Sequence, residues 1–404
     1  MVFPGRVHPW QIILSIGLSV IALGLMVAWL FFGLPFQIFV GIMPINLAFL
    51  VFFQRTLTDF GFKSSSFVRK LEGYIQVLKL IKELDSDQSQ LLTIYQKKLG
   101  PEAADAWREL SQLIYGLDSR ANILYWIMNP IFFIDVILQQ RLALWHEKHG
   151  KQLPDWLKAV HEMEVLISMA GYVQLHQDYN FPELSEEAVA FDSSQLGHPL
   201  ISGYQVVTND YVFGKEKLSL ITGSNMSGKS TFLRTVGIAH VMAWIGLPVK
   251  AKTLRLSRFD LFTSMRTADD INENTSSFYA ELKRIKLLLD NLEQSPEFPI
   301  LYFLDEILKG TNSHDRHKGA AGLIEKLIRT NSYGFISTHD LELAVHFHEH
   351  PEVKNYSFNS TLADNQLHFD YKISNSICQS ANASKLMSIM GIIPDEKESP
   401  LKTH

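Results

Sequence analysis

Hydrophobic and polar positions divide the chain into three textures. Residues 7–54 contain no Asp, Glu, Lys or Arg, and within them residues 10–32 and 36–53 are almost wholly apolar. Each stretch is close to the ~20 residues that a membrane-spanning helix needs. Gly33-Leu34-Pro35 between them predicts a turn. Residues 56–180 change to a helical period, carried by Leu71, Ile75 and Leu78, then Trp107, Leu110, Leu113 and Ile114, then Trp156, Met163, Leu166 and Met169. Gly100-Pro101 and Gly150 interrupt it. From Val189 onward, short β-like runs alternate with turns and helices, an α/β signature.

The first texture predicts a transmembrane hairpin. Arg6 flanks one end of the apolar pair, and Arg55, Lys63, Arg69 and Lys70 flank the other. A hairpin puts both ends on one side, and the positive-inside rule makes that side cytoplasmic, at the inner cell membrane. The apolar region is too long for a signal peptide, and no small-residue cleavage site follows it. A buried pair of helices in a soluble protein is the alternative. A third apolar run, residues 123–138, contains Asn129-Pro130 and Asp135. It reads as a core helix of a soluble domain, because an unpaired carboxylate is costly in lipid.

Composition narrows the classes. A chain of 404 residues suits two or three domains. A net charge of −5 argues against a strongly basic nucleic-acid binder and leaves room for a local basic patch. Cys378 is the only cysteine, so no internal disulfide can form, and no Cys/His spacing suggests zinc. His346, His348 and His350 read as a solvated helix end rather than a metal site.

Residues 223–230 read Gly-Ser-Asn-Met-Ser-Gly-Lys-Ser, a complete G-x-x-x-x-G-K-[ST] phosphate loop. The apolar run Leu218, Leu220 and Ile221 predicts a buried strand before it, and Phe232, Val236, Ala239 and Ala243 predict a helix after it. Gly223 and Gly228 let the backbone wrap a polyphosphate, with Ser224, Asn225, Met226 and Ser227 between them. Lys229 would reach the β/γ-phosphates, Ser230 would offer its hydroxyl to Mg²⁺, and Thr231 continues the helix start. Further on, residues 300–304 predict a buried strand ending in Asp305-Glu306. This has the form of a Walker B element: Asp305 would hold Mg²⁺ through water, and Glu306 would orient or deprotonate the attacking water. Gly310-Thr311-Asn312-Ser313 predicts a turn, and residues 335–338 another buried strand that delivers His339 to sense the γ-phosphate.

These residues together resemble a family. Thr222-Gly-Ser-Asn-Met-Ser-Gly-Lys-Ser-Thr231 resembles the T-G-P-N-M-x-G-K-S-T loop of MutS proteins. Leu304-Asp-Glu-Ile-Leu-Lys-Gly-Thr-Asn-Ser-His-Asp315 is similar to their D-E-I-G-R-G-T-S-T-x-D segment, and Ser337-Thr-His-Asp340 to their A-T-H element. Asp269-Asp270-Ile271, Ser276-Ser277-Phe278-Tyr279-Ala280-Glu281, Gly197-His198-Pro199, Leu367-His-Phe-Asp-Tyr-Lys372 and Gly391-Ile-Ile-Pro394 find counterparts too. The resemblance covers roughly residues 160–395. It implies a MutS-type ATPase of the ABC superfamily, a homodimer using ATP and Mg²⁺, in which Ser276 of one subunit caps ATP held by the other. Ser276 or Ser277 can equally N-cap a helix over residues 278–292. DNA is a possible partner by resemblance.

Departures matter. Ser224 replaces the usual Pro, Asn274 replaces a Gly, Leu308-Lys309 stands for Gly-Arg, and Ser380-Ala381-Asn382 lacks Ser-Tyr-Gly. The family's mismatch-reading domain, connector and DNA clamp have no counterpart ahead of the ATPase, where residues 55–188 read as a shortened helical core and lever remnant, and Phe181-Pro182-Glu183 fits the Phe-x-Glu wedge by letters only. The expected fold is therefore an α/β P-loop ATPase domain of ABC/MutS type (189–395), preceded by an N-terminal tail (1–9), a transmembrane hairpin (10–54) and a helical core (55–188), and followed by a charged tail (396–404). The expected function is a membrane-anchored ATPase in DNA repair or DNA handling, with direct mismatch reading doubtful. A membrane-bound mechanochemical or scaffold ATPase acting on a protein is the alternative. A transport ATPase fits poorly, since two spans make a poor conduit and no L-S-G-G-Q is present.

Overall fold

The computed structural model describes residues 3–53, 72–85, 89–187, 189–201, 203, 206–265, 277–363, 366–378 and 392. The chain forms two compact units, residues 1–168 and 169–404.

The described part of the first unit is helical. Helices α1 (Pro9–Phe32) and α2 (Phe36–Phe53) are joined through Gly33, whose left-handed backbone (φ 72°) ends α1. Trp29 packs against Phe36 and Phe39 across this turn. Most side chains on both helices are exposed and apolar, among them Ile13, Val20, Phe31, Ile45 and Val51. Among the described residues, one helix, Pro9–Phe32, is long and apolar enough to cross a membrane; α2 is a shorter apolar helix by the same measure. The two-span expectation thus meets one candidate span and one shorter neighbour.

The rest of the unit contains α3 (residues 72–83), α4 (Gln90–Leu99), α5 (Ala103–Asp118), α6 (Ile123–Phe132), α7 (Ile134–His149) and α8 (Leu153–Leu175), whose last turns pass into the second unit. On α5 the buried positions Ala103, Ala106, Trp107, Leu110, Ile114 and Leu117 recur at three and four, so one stripe faces inward. That stripe meets Leu142 and Trp145 of α7 and Trp156 and Val160 of α8. Trp145 donates its indole N–H to the Ala106 carbonyl at 2.8 Å.

The expectation of a single core helix over residues 123–138 is corrected here. The run breaks at Phe133, which adopts a left-handed conformation (φ 51°), and α6 and α7 meet at an 80° bend. Pro130 lies inside α6 and lacks an N–H to donate. Asp135, at the start of α7, is buried but not alone. Its Oδ1 accepts from Arg120 Nη2 (2.7 Å) and Tyr125 Oη (2.5 Å), and its Oδ2 from Asn129 Nδ2 (2.8 Å). Nor is α6 a core helix: Ile123, Leu124, Trp126 and Ile127 are exposed.

The second unit is built on two sheets. The smaller has strand order β1-β5-β2-β3, from β1 (Glu183–Leu184), β2 (Phe191–Leu196), β3 (Asn209–Val212) and β5 (Thr253–Leu256). The larger has order β10-β9-β4-β8-β7-β6, from β4 (Leu218–Gly223), β6 (Asp260–Ser264), β7 (Ile300–Asp305), β8 (Ser332–Thr338), β9 (Val353–Ala363) and β10 (Gln366–Ser374). Strands β6, β7, β8, β4 and β9 pair in parallel, and β10 adds an antiparallel edge. Every residue of β4 and β7 is buried, as expected for strands covered on both faces. Alternate residues serve opposite layers. Leu301 and Phe303 join Phe232 and Val236 of helix α9 (Lys229–Trp244), whereas Ile300, Tyr302 and Leu304 join Leu323 and Leu327 of α11 (Ser313–Ile328). Helices α10 (Ser277–Glu293) and α12 (Leu341–His346) also belong to this unit.

Candidate nucleotide site

The carboxyl ends of β4, β7 and β8 lie side by side, with Thr222 opposite Thr338 and Asp305 opposite Ser337. Ligands of open parallel sheets bind outside such strand ends. The expected phosphate loop occupies the turn from β4 into α9. Gly223 has φ 151° and Gly228 φ 107°. A Cβ on Gly223 would stand 2.6 Å from the Phe358 carbonyl oxygen, so a side chain there meets backbone. Between them Ser224 is half-buried, Asn225 and Met226 are exposed, and Ser227 is buried. Met226 takes φ 66° and projects outward. Lys229 and Ser230 are the first residues of α9, whose N–H groups and dipole favour an anion at this end. Thr231 follows, exposed, with its carbonyl accepting from Thr235 Oγ1 at 2.7 Å.

Lys229 is buried, and its ammonium turns back on the loop, donating to the Gly223 and Ser224 carbonyls at 2.8 Å each. Burial lowers its pKa to about 8; the Asp305 carboxylate counters this and the Lys309 charge adds to it. The Ser224 and Ser227 hydroxyl oxygens are buried without a hydrogen-bond partner. Buried hydroxyls without partners are costly. A lysine ammonium, two such hydroxyls and a helix N-terminus make a donor set that fits a polyphosphate.

The acidic side is organised by β7 and β8. Ser337 donates its hydroxyl to Asp305 Oδ1, and its oxygen accepts from the Glu306 N–H at 3.0 Å. Glu306 has left the strand, at φ 55°. One oxygen of its carboxylate meets His339 Nε2 at 2.5 Å and the other the Lys309 ammonium. Burial lowers the His339 pKa, with Lys229 and Lys309 pushing the same way and the Gly223 carbonyl opposing. The same residues recur in these interactions because Lys229, Asp305, Glu306, Lys309 and His339 converge on one spot. Just beyond, Leu308 at φ 58° donates its N–H to Glu281 Oε1 of α10 at 2.5 Å. Burial raises the Glu281 pKa.

The structure thus brings Gly223, Ser224, Ser227, Gly228, Lys229, Ser230, Asp305, Glu306 and His339 to one end of the sheet. Ser276 and the 269–271 segment lie outside the described residues, as do 380–382 and 393–394. The turn at Gly310 leads into α11, which Asn312 caps by accepting from the Asp315 N–H at 2.9 Å. Sequence reasoning assigned no part to Ser337, Lys309 or Glu281. Ser337 and Glu281 were both in quoted motifs, but a hydroxyl tying two carboxylate-bearing residues together is visible only once β7 and β8 pair. His317 Nδ1 bonds Asp340 Oδ2 at 3.0 Å, and this pair with Glu342 could present ligand atoms to a cation. The Asp340 carboxylate also caps α12, accepting from the Leu343 N–H at 3.1 Å. We read the group as a hydrogen-bonded pair at a helix start.

Residues 219–396 match the MutS domain V family model. The chain is 31% identical over 254 residues to the DNA mismatch repair protein MutS of Thermotoga sp. (strain RQ2), covering 62% of this chain and 31% of that protein. It is 29% identical over 253 residues to human MutS protein homolog 4, covering 58% of this chain and 26% of that one. The MutS of Staphylococcus haemolyticus (strain JCSC1435) is 30% identical over 304 residues, covering 72% of this chain and 32% of the relative. The chain therefore spans about a third or less of the length of these relatives. The strand-end site lies within the residues that match MutS domain V, which is the ATPase domain of MutS proteins.

Proposed function

We propose that this chain is a membrane-anchored MutS-like ATPase that binds and hydrolyses Mg-ATP at a composite homodimer interface and serves DNA repair or DNA handling. The observation that carries the reading is the convergence of Lys229, Asp305, Glu306 and His339 at the β4/β7/β8 strand ends. In this reading Lys229 and the loop N–H groups between Gly223 and Thr231 grip the phosphates. Ser230 and Asp305 would hold Mg²⁺, which neutralises phosphate charge when bound. Ser337 keeps the Asp305 carboxylate turned toward the site by donating to it. Glu306 takes a proton from, or orients, the attacking water, and His339 fixes the Glu306 carboxylate and faces the terminal phosphate. Ser276 of the partner subunit completes each site.

Anchoring through a helical hairpin is supported by the charge-free run 7–54 and by α1, with α2 as its shorter companion. The basic flanks favour a cytoplasmic ATPase at the inner cell membrane.

The deciding experiment is ATP turnover by the full chain in lipid, without DNA and with duplex, mismatched and branched DNA. Stimulation that declines steeply with salt supports a DNA role. Turnover indifferent to every DNA favours the alternative, an ATPase acting on a protein at the membrane. Absence of any ATP turnover would overturn the enzyme assignment.

A further inference from the structure

We propose that α6 (Ile123–Phe132) is a re-entrant membrane helix, seated in lipid beside the hairpin and entering and leaving on the hairpin's base side. The inference rests on the membrane-anchored reading above.

Three observations carry it. The first is composition: residues 121–134 contain no charged side chain, so the helix matches the hairpin and not its own flanks. The second is packing. Helix α6 lies against both α1 and α2. Phe133 stacks edge-on against Phe49 (5.5 Å between ring centres) and packs with Val7 and Leu50. One turn nearer the hairpin's tip, the buried Asn46 donates to the Pro130 carbonyl at 2.7 Å. The end of α6 therefore climbs along α2 from the base. What it does not turn toward the hairpin is apolar and exposed: Ile123 at 80%, Leu124, Trp126 and Ile127. The two helices that α6 lies against carry exposed apolar residues too, such as Ile13 and Ile45. A lipid surface is the one occupant that covers all three helices at once.

The third observation is the clasp. Arg120, just before α6, and Asp135, just after it, are bonded to each other at 2.7 Å. Tyr125 and Asn129 of α6 itself turn inward onto the same carboxylate. The indole N–H of Trp126 is satisfied by the Arg120 carbonyl at 2.9 Å. The segment's two ends are thus held together, which a span ending on opposite sides could not do. Ten residues at ~1.5 Å each give ~15 Å, about half the ~30 Å hydrocarbon layer. Charge stays at the neck, paired, and the lipid-facing residues 123–127 lie on a helix, which bonds its backbone groups within itself as lipid requires.

The test uses the full chain, with Cys378→Ser, reconstituted in vesicles of phosphatidylcholine and phosphatidylglycerol. Nitroxides are placed singly through Ile123→Cys, Ile127→Cys, Val20→Cys on α1 and Lys158→Cys on α8. Collision with oxygen reports lipid, and collision with a water-soluble nickel chelate reports solvent. The expected result is a severalfold oxygen preference at 123 and 127, as at 20, with the reverse at 158. Chelate preference at 123 and 127 with oxygen preference at 20 would sink the re-entrant helix and leave the anchor standing. Chelate preference at 20 as well would overturn both. Shielding of 123 and 127 from both reagents would mean that a second copy of the chain covers this face, and would also overturn the proposal. Two separate labels on exposed positions guard against one variant that misfolds.

Discussion

His339 Nε2 stands 2.5 Å from Glu306 Oε1, while Lys309 closes on the other oxygen of the same carboxylate. In the proposed reading, a general base held between two nitrogen groups would be oriented before any water arrives. It would also be partly neutralised, so that release from Lys309 would accompany its work.

Glu306→Gln keeps the side chain's shape and one acceptor oxygen, exchanges the other for an NH2 donor, and cannot accept a proton. ATP binding should persist while turnover falls ~10²–10⁴-fold. Lys229→Ala should abolish nucleotide binding or hydrolysis, because in the proposed reading Lys229 contributes charge to ground and transition states alike. Fluorescent-nucleotide titration beside phosphate-release kinetics separates the two. Equal turnover in the Glu306→Gln and parent proteins would remove Glu306 from its role.

Stability should fall on acidification below neutrality, with His240 as a cause. This side chain is buried on α9 and accepts from the Phe259 N–H at 3.1 Å, which needs a neutral ring nitrogen. Burial lowers its pKa from 6.5 to about 4. Between these values the unfolded chain binds a proton that the folded chain refuses, so stability rises with pH across that window. Its contribution is complete above pH 6.5 and is lost by pH 4, on the order of 3 kcal/mol for the whole shift. Urea unfolding at pH 7 and pH 5 measures the slope; His240→Gln should flatten it.

Much of the second unit could be read in advance, because its strands are fully buried and read as unbroken apolar runs such as residues 300–304. The loop, Asp305, Glu306 and His339 announced themselves by spacing. The first unit was less legible. The run 123–138 looks like one helix because apolarity has no direction, and neither the left-handed Phe133 nor the Arg120 partner of Asp135 can be seen in a periodicity. The sequence shows Asp135 as a lone carboxylate in an apolar run; its partners Arg120, Tyr125 and Asn129 come into view only with the fold.

Asp135→Ala tests that point. The change takes the shared acceptor from Tyr125 and Asn129 inside a buried cluster. The first unit should lose about 3–5 kcal/mol, in the range for breaking a buried ion pair. Thermal unfolding followed by Trp fluorescence reads the loss; a shift in Tm below one degree would show that the clasp contributes nothing.

Dimerisation should follow ATP. With Glu306→Gln blocking hydrolysis, ATP should drive a monomer toward a dimer in sedimentation. Mixing Lys229→Ala chains with Ser276→Arg chains leaves one intact composite site per heterodimer, and partial turnover should return. Full turnover that is independent of protein concentration in a monomer would rule out the shared site.

The inward turn of Lys229 has a selective effect. Its ammonium is already bonded to the Gly223 and Ser224 carbonyls. An incoming anion therefore exchanges hydrogen bonds instead of adding them. A single small anion would engage the ammonium alone and leave the Ser224 and Ser227 hydroxyls without a partner. A polyphosphate would bring several charged oxygens at once, enough to meet the ammonium, both hydroxyls and the helix N-terminus together. In the proposed reading the loop's affinity is thereby reserved for a chain of phosphates.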